Sequence, residues 1–165
     1  MYFVAKDGAS GETKAKPAVL PIDEAAIERA EAALAAMSNS FQGWIEEEIS
    51  LLSEAHEALR TKGLTAEAVD RFSQRAHDLK GQGTTLDFPF VTKIAELLCK
   101  LCEHLPEPSD LPLPLVDAHI DAIRAVVRDG IKGDNHMTGK TVIGELDTHV
   151  RHTLSAWRDK TQARN

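Results

Sequence analysis

At 165 residues the chain is long enough to bury a substantial core within one domain. Nineteen Lys and Arg against 26 Asp and Glu leave a formal charge of −7, which opposes general nucleic-acid binding, since that needs a basic face. No stretch approaches the apolar length of a membrane span, and the opening Met1-Tyr2-Phe3-Val4-Ala5 is far too short for a signal-peptide core, so a cytoplasmic setting is expected.

Residues 1–20 mix Gly, Lys, Ala and Pro without periodicity and read as a flexible leader, with the folded domain spanning 21–165. Asp23 is a good helix cap, and Ala25 to Met37 forms an alanine-rich helix with a modest apolar stripe. Ser38, Asn39 and Ser40 are expected to interrupt it. A second helix then runs from about Phe41 to Arg60, with Ile45, Ile49, Leu52 and Leu59 inward, Glu46 to Glu48 largely solvated and His56 at the rim. Gly63 stops it. Thr65 caps a third helix, about Ala66 to Leu86.

Asp87-Phe88-Pro89 turns the chain into a fourth helix, Val91 to Leu105, with an apolar stripe of Val91, Ala95, Leu98, Cys102 and Leu105. Pro106, Pro108, Pro112 and Pro114 enforce an extended connection. A fifth helix, about Leu115 to Asp129, buries Val116, Ile120, Ile123 and Val127. The sixth, about Gly139 to Lys160, buries Ile143, Leu146, Val150, Leu154 and Trp157. No segment alternates at period two, and short links join the helices. The expected fold is all-α: an antiparallel four-helix bundle core with one or two additional helices, closed on itself as a monomer.

The third helix carries the chemistry. Phe72, Ala76, Leu79, Gly83 and Leu86 follow a 4-3-4-3 spacing, the buried seam of a bundle. His77, Lys80, Gly81 and Thr84 lie off that seam, toward water. A neutral imidazole, with an ordinary pKa of about 6.5, can act as a nucleophile. Lys80, one turn on, can offset the charge of an anion held on the ring. Gly81 removes bulk where a partner would approach, and Ser73, four residues before the histidine, is small for the same reason.

These residues, His77-Asp78-Leu79-Lys80-Gly81, resemble the histidine-containing phosphotransfer family of two-component phosphorelays, whose mark is a histidine followed by Leu-Lys-Gly. The resemblance continues through Gly83, Thr84 and Leu86 and covers residues 65 to 105, with the flanking helices agreeing only in kind. One departure is Asp87, which stands where the family ends its helix with glycine; aspartate tolerates the left-handed conformation or can cap the next helix. The resemblance implies that His77 carries a phosphoryl group between receiver-domain aspartates, with Lys80 stabilising it and Ser73, Gly81 and Thr84 facing the docked partner. It implies receiver domains of response regulators or hybrid histidine kinases as partners, Mg2+ on the receiver, and no cofactor on this chain. No ATP-binding region is present in the sequence, so self-phosphorylation from ATP is not expected. The alternative is a helical module that binds a receiver or kinase without carrying phosphate.

Other motifs read as packing or solvated surface. Gly139-Lys140-Thr141 would complete a phosphate-binding loop only with glycine at 134, which is Asp134; Gly133 stands one residue too early. Cys99 and Cys102 form Cys-x-x-Cys deep in a helix with no strand before it, which favours core packing over redox chemistry. His149, His152 and Glu145 share one helical face but lack a recognisable set of further ligands, so no metal is expected.

Overall fold

The computed structural model describes residues 22–165. Five α-helices follow in order: α1 (Glu24–Thr61), α2 (Ala66–Gly83), α3 (Pro89–Glu103), α4 (Leu113–Arg128) and α5 (Met137–Arg164), with a 3-10 turn at Pro108–Asp110. Among the described residues there is no strand, and every regular element is helical. The leader expected over residues 1–20 lies outside the described residues. The chain divides into two compact units, Met1–Asn39 and Ser40–Asn165.

In the first unit Asp23 starts α1, its Oδ1 accepting from the Ala25 N–H at 3.1 Å. Every residue from Ile22 to Met37 is exposed, including Leu34 and Met37. The expected break at Ser38, Asn39 and Ser40 does not occur; α1 is one continuous helix of 38 residues. Those three residues are poorer helix formers than alanine by only about half a kcal/mol each, and none is Gly or Pro. They lower helix propensity locally without removing a backbone donor, so the hydrogen-bond ladder runs through them.

In the second unit the apolar faces of all five helices meet in one core. Ile45, Ile49, Leu52 and Leu59 of α1 are buried, as are Phe72, Ala76 and Leu79 of α2 and Val91, Ile94, Ala95 and Leu98 of α3. Val116, Ile120, Ile123 and Val127 come from α4, and Leu146, Val150 and Trp157 from α5. Two histidines are buried, one of them deeper than expected. His56 is buried rather than at the rim, because its Nε2 meets Asp117 Oδ1 at 2.6 Å, and Arg60 reaches the same carboxylate oxygen. His119 is fully enclosed, with its Nδ1 2.7 Å from the Leu115 carbonyl oxygen, and its Nε2 has no hydrogen-bond partner among the described residues.

The ends of α2 place the histidine. Thr65 caps its start, accepting from the Ala68 N–H at 3.1 Å. The helix stops at Gly83 rather than Leu86, and a turn carries the chain to Asp87, which takes φ 71. Asp87 thus occupies the left-handed position anticipated for it, a conformation that aspartate tolerates better than most residues. Pro89 then opens α3 from its first turn, where a missing N–H costs nothing. The same reasoning explains why α4 begins at Leu113, two residues earlier than expected: Pro114 sits within its first turn. At α5 the His136 side chain caps the helix, Nδ1 accepting from the Gly139 N–H at 3.1 Å. Gly139 itself packs against Phe90, where a Cβ would stand 2.6 Å from the ring, so the glycine resembling a phosphate loop serves packing.

Candidate functional site around His77

His77 stands exposed on α2 while Phe72, Ala76 and Leu79 behind it are sealed in the core. The 4-3-4-3 seam therefore lies where its spacing put it, and the imidazole faces water. Its side chain makes no hydrogen bond or ion pair among the described residues. The neighbouring Asp78 is instead engaged along its own helix, accepting from Gln74 Nε2 at 3.3 Å and pairing with Arg75 at 3.8 Å. The ring is uncommitted.

Beside it lies a shallow hollow of about 420 Å³ between α2 and α3, lined by Asp70, Ser73, Gln74, His77, Cys99 and Glu103. Ser73 is half-buried, and its hydroxyl acts to lower the pKa of the Cys102 thiol. Asp70 and Gln74 were legible as neighbours, since seven and three residues back on a helix return to the same face. Cys99 and Glu103 were not, because their place depends on how α3 packs against α2. The hollow sets two carboxylates on the flank of the histidine. Lys80, partly exposed one turn toward the helix end, supplies the opposite sign.

Gly81 is exposed, and a Cβ built there would meet nothing within 4 Å. Nothing among the described residues requires glycine at that position. Gly83, two residues on, is the reverse: a Cβ would lie 2.4 Å from Thr92 Oγ1 and 2.7 Å from Thr92 N. Thr84 is exposed and closes the helix, its N–H donating to Thr92 Oγ1 at 2.7 Å. Ser73, His77, Lys80 and Gly81 thus share one helix that Thr84 caps, the first two beside the hollow and Gly81 and Thr84 at its C-terminal end.

The two cysteines behave as buried thiols. Burial pushes Cys99 up from its ordinary value, opposed by the nearby Lys80 charge. Cys102 is pushed up to about 11, again mainly by burial, with the Ser73 hydrogen bond opposing. Cys99 is the deeper of the two, and Cys102, expected on the apolar stripe, is only partly covered. Both remain protonated near neutral pH, which suits packing. His149, His152 and Glu145 line one hollow with Pro112 and Leu115, and among the described residues no group of three or more His, Cys, Asp and Glu is arranged to hold a metal ion. No described helix is long and apolar enough to cross a membrane.

No protein-family model, no curated protein and no solved structure matches this chain.

Proposed function

We propose that this protein is a phosphorelay intermediate that accepts a phosphoryl group on His77 from a receiver-domain aspartate and passes it to another. The observation that carries this reading is an exposed, uncommitted imidazole on a helix whose opposite face is sealed, followed one turn on by a glycine that the fold does not need. In this reading the Ser40–Thr61 part of α1 with α2, α3 and α4 forms an antiparallel four-helix bundle core, and α5 packs on it. The protein works in the cytoplasm as a monomer.

The chemistry asks little of this chain. With the receiver docked over α2, the lone pair of His77 Nε2 attacks the phosphorus in line with the departing aspartyl oxygen. The N–P bond forms as the acyl P–O bond breaks, and the carboxylate leaves with the electron pair. The second receiver reverses the geometry. Such a transfer is mostly positioning and charge stabilisation. Lys80 supplies one positive charge, the receiver supplies Mg2+ and its own lysine, and Ser73, Gly81 and Thr84 form the docking surface. The chain itself needs no cofactor in this scheme.

A second reading draws on Asp70 and Glu103, whose carboxylates line the hollow beside His77 and oppose a further anion there. In it the same face binds a receiver or kinase without phosphotransfer. One experiment separates the two: incubation with a panel of phosphorylated receiver domains, following acid-labile, base-stable label on wild type and on His77→Gln. Label on wild type that is absent from the variant supports the relay. Binding of a receiver with no label on wild type supports the second reading.

A further inference from the structure

We propose that Thr92, on the first turn of α3, is a positioning residue that fixes the docking end of the His77 face. This inference rests on the phosphotransfer reading. In an uninterrupted helix the Thr84 N–H would reach the Lys80 carbonyl four residues back. Here that N–H donates to Thr92 Oγ1 at 2.7 Å, and the same hydroxyl donates to Lys80 O at 3.2 Å. The Thr84 hydroxyl also donates to Thr92 Oγ1, at 3.0 Å. A threonine hydroxyl has one proton and two lone pairs, and all three are used. A side chain from α3 has therefore been inserted into the backbone ladder of α2, a recognised way of ending or bending a helix.

Gly83 admits it. A Cβ at that position would sit 2.4 Å from the inserted oxygen, so glycine and threonine form one device. The effect is to reference Lys80 and Thr84 to α3 as well as to their own helix. Helix α3 also supplies Cys99 and Glu103, the far wall of the hollow beside His77. One hydroxyl thus joins the end of the docking face to the wall opposite the acceptor.

Thr92→Val keeps the shape and removes the hydroxyl. The Thr84 N–H is then free to close on Lys80 O, which tightens the last turn and shifts Gly81 and Thr84, while His77 lies a turn further back. Thr92→Ser restores all three hydrogen bonds. The test is label transfer from a phosphorylated receiver at varied receiver concentration, with thermal unfolding of each variant in parallel. For Thr92→Val the concentration of receiver at half-maximal rate should rise about fivefold, with the maximal rate within about twofold of wild type. Thr92→Ser should return that concentration to the wild-type value. A general loss of stability would lower label uptake without this division, and that outcome would overturn the positioning role. If wild type takes label on His77 and Thr92→Val shows the wild-type concentration dependence, the positioning role is overturned alone. If wild type takes no label from any receiver, the phosphotransfer reading fails and this inference falls with it.

Discussion

The His56 imidazole and the Asp117 carboxylate meet at 2.6 Å between α1 and α4, and Arg60 holds the same oxygen from the solvent side. His56 is buried and stands 6.3 Å, ring to ring, from Phe72, directly behind the helix that carries His77. Replacing His56 with alanine leaves a cavity and removes one partner of Asp117, which keeps Arg60 and some water. The expected cost is about 1–3 kcal/mol in urea unfolding, with label uptake by the folded fraction unchanged. Uptake lost in fully folded protein would place His56 in the chemistry and contradict this division.

Two glycines of α2 should respond oppositely to the same substitution. Gly83→Ala forces a methyl group against the Thr92 backbone nitrogen and hydroxyl, and overpacking of this kind costs about 1–3 kcal/mol. Gly81→Ala meets open space and gains helix propensity, up to about 1 kcal/mol. At this chain length each kcal/mol moves the unfolding temperature by roughly 2–4 °C. Calorimetry should show Gly83→Ala melting lower and Gly81→Ala melting at or above wild type. A drop in both would mean that position 81 is constrained inside the fold.

Clearance at Gly81 has its own test. Gly81→Phe should melt near the wild-type temperature yet take label from a cognate receiver at least several-fold more slowly, because the added ring stands where the partner must close. Unchanged transfer with phenylalanine would remove the clearance argument and leave His77 without its main supporting neighbour. Lys80→Ala should reduce the transfer rate between several-fold and about a hundredfold, the worth of one charge contact that docking partly dries. Equal rates would take Lys80 out of the mechanism.

His119 makes stability depend on pH. Its enclosure holds the imidazole pKa below the ordinary value, with the Leu115 carbonyl bond opposing only in part. The unfolded chain therefore takes up this proton near pH 6.5 while the folded one resists it until lower pH. Stability from this group is complete above about pH 6.5 and falls as the solution is acidified through that value. Urea titrations between pH 8 and 5 should show the decline, and His119→Gln should flatten its part of it. An unchanged slope in the variant would assign the decline to other groups.

The thiols offer a further check. With Cys102 pushed up to about 11, its thiolate fraction at pH 8 is on the order of a hundredfold below that of a free cysteine. Alkylation of Cys102 in the native protein should be slow by about that factor and become rapid in denaturant. Fast native labelling would show the helix opening or the thiol reactive.

What could be seen in the residues alone was whatever repeats along one helix. The seam behind His77, the inward residues of α4 and the solvated side of α2 all follow from spacing, and the structure has them. Contacts between helices had no such signal. Nothing local to His56 announces Asp117, 61 residues away. Nothing near Gly83 names Thr92 as the group that ends the helix three residues early. The continuity of α1 was missed for a different reason. Ser38, Asn39 and Ser40 are cap-forming types, which locally favour a helix end, yet leaving them helical costs little in propensity.

The opening turns of α1 have a consequence for how the molecule breathes. Seven of the fourteen residues from Glu24 to Met37 are alanine, and all fourteen are exposed. Their backbone bonds are held by propensity and by the Asp23 cap, without side-chain burial. A lone stretch of that length is marginal in water. Further along the same helix, Ile45, Leu52 and Leu59 are shut in the core. One helix should therefore contain the full range of opening free energies, and amide exchange should record it as a gradient. Protons near Glu24 should trade with solvent almost as in a peptide, and those around Leu52 only when the whole fold opens.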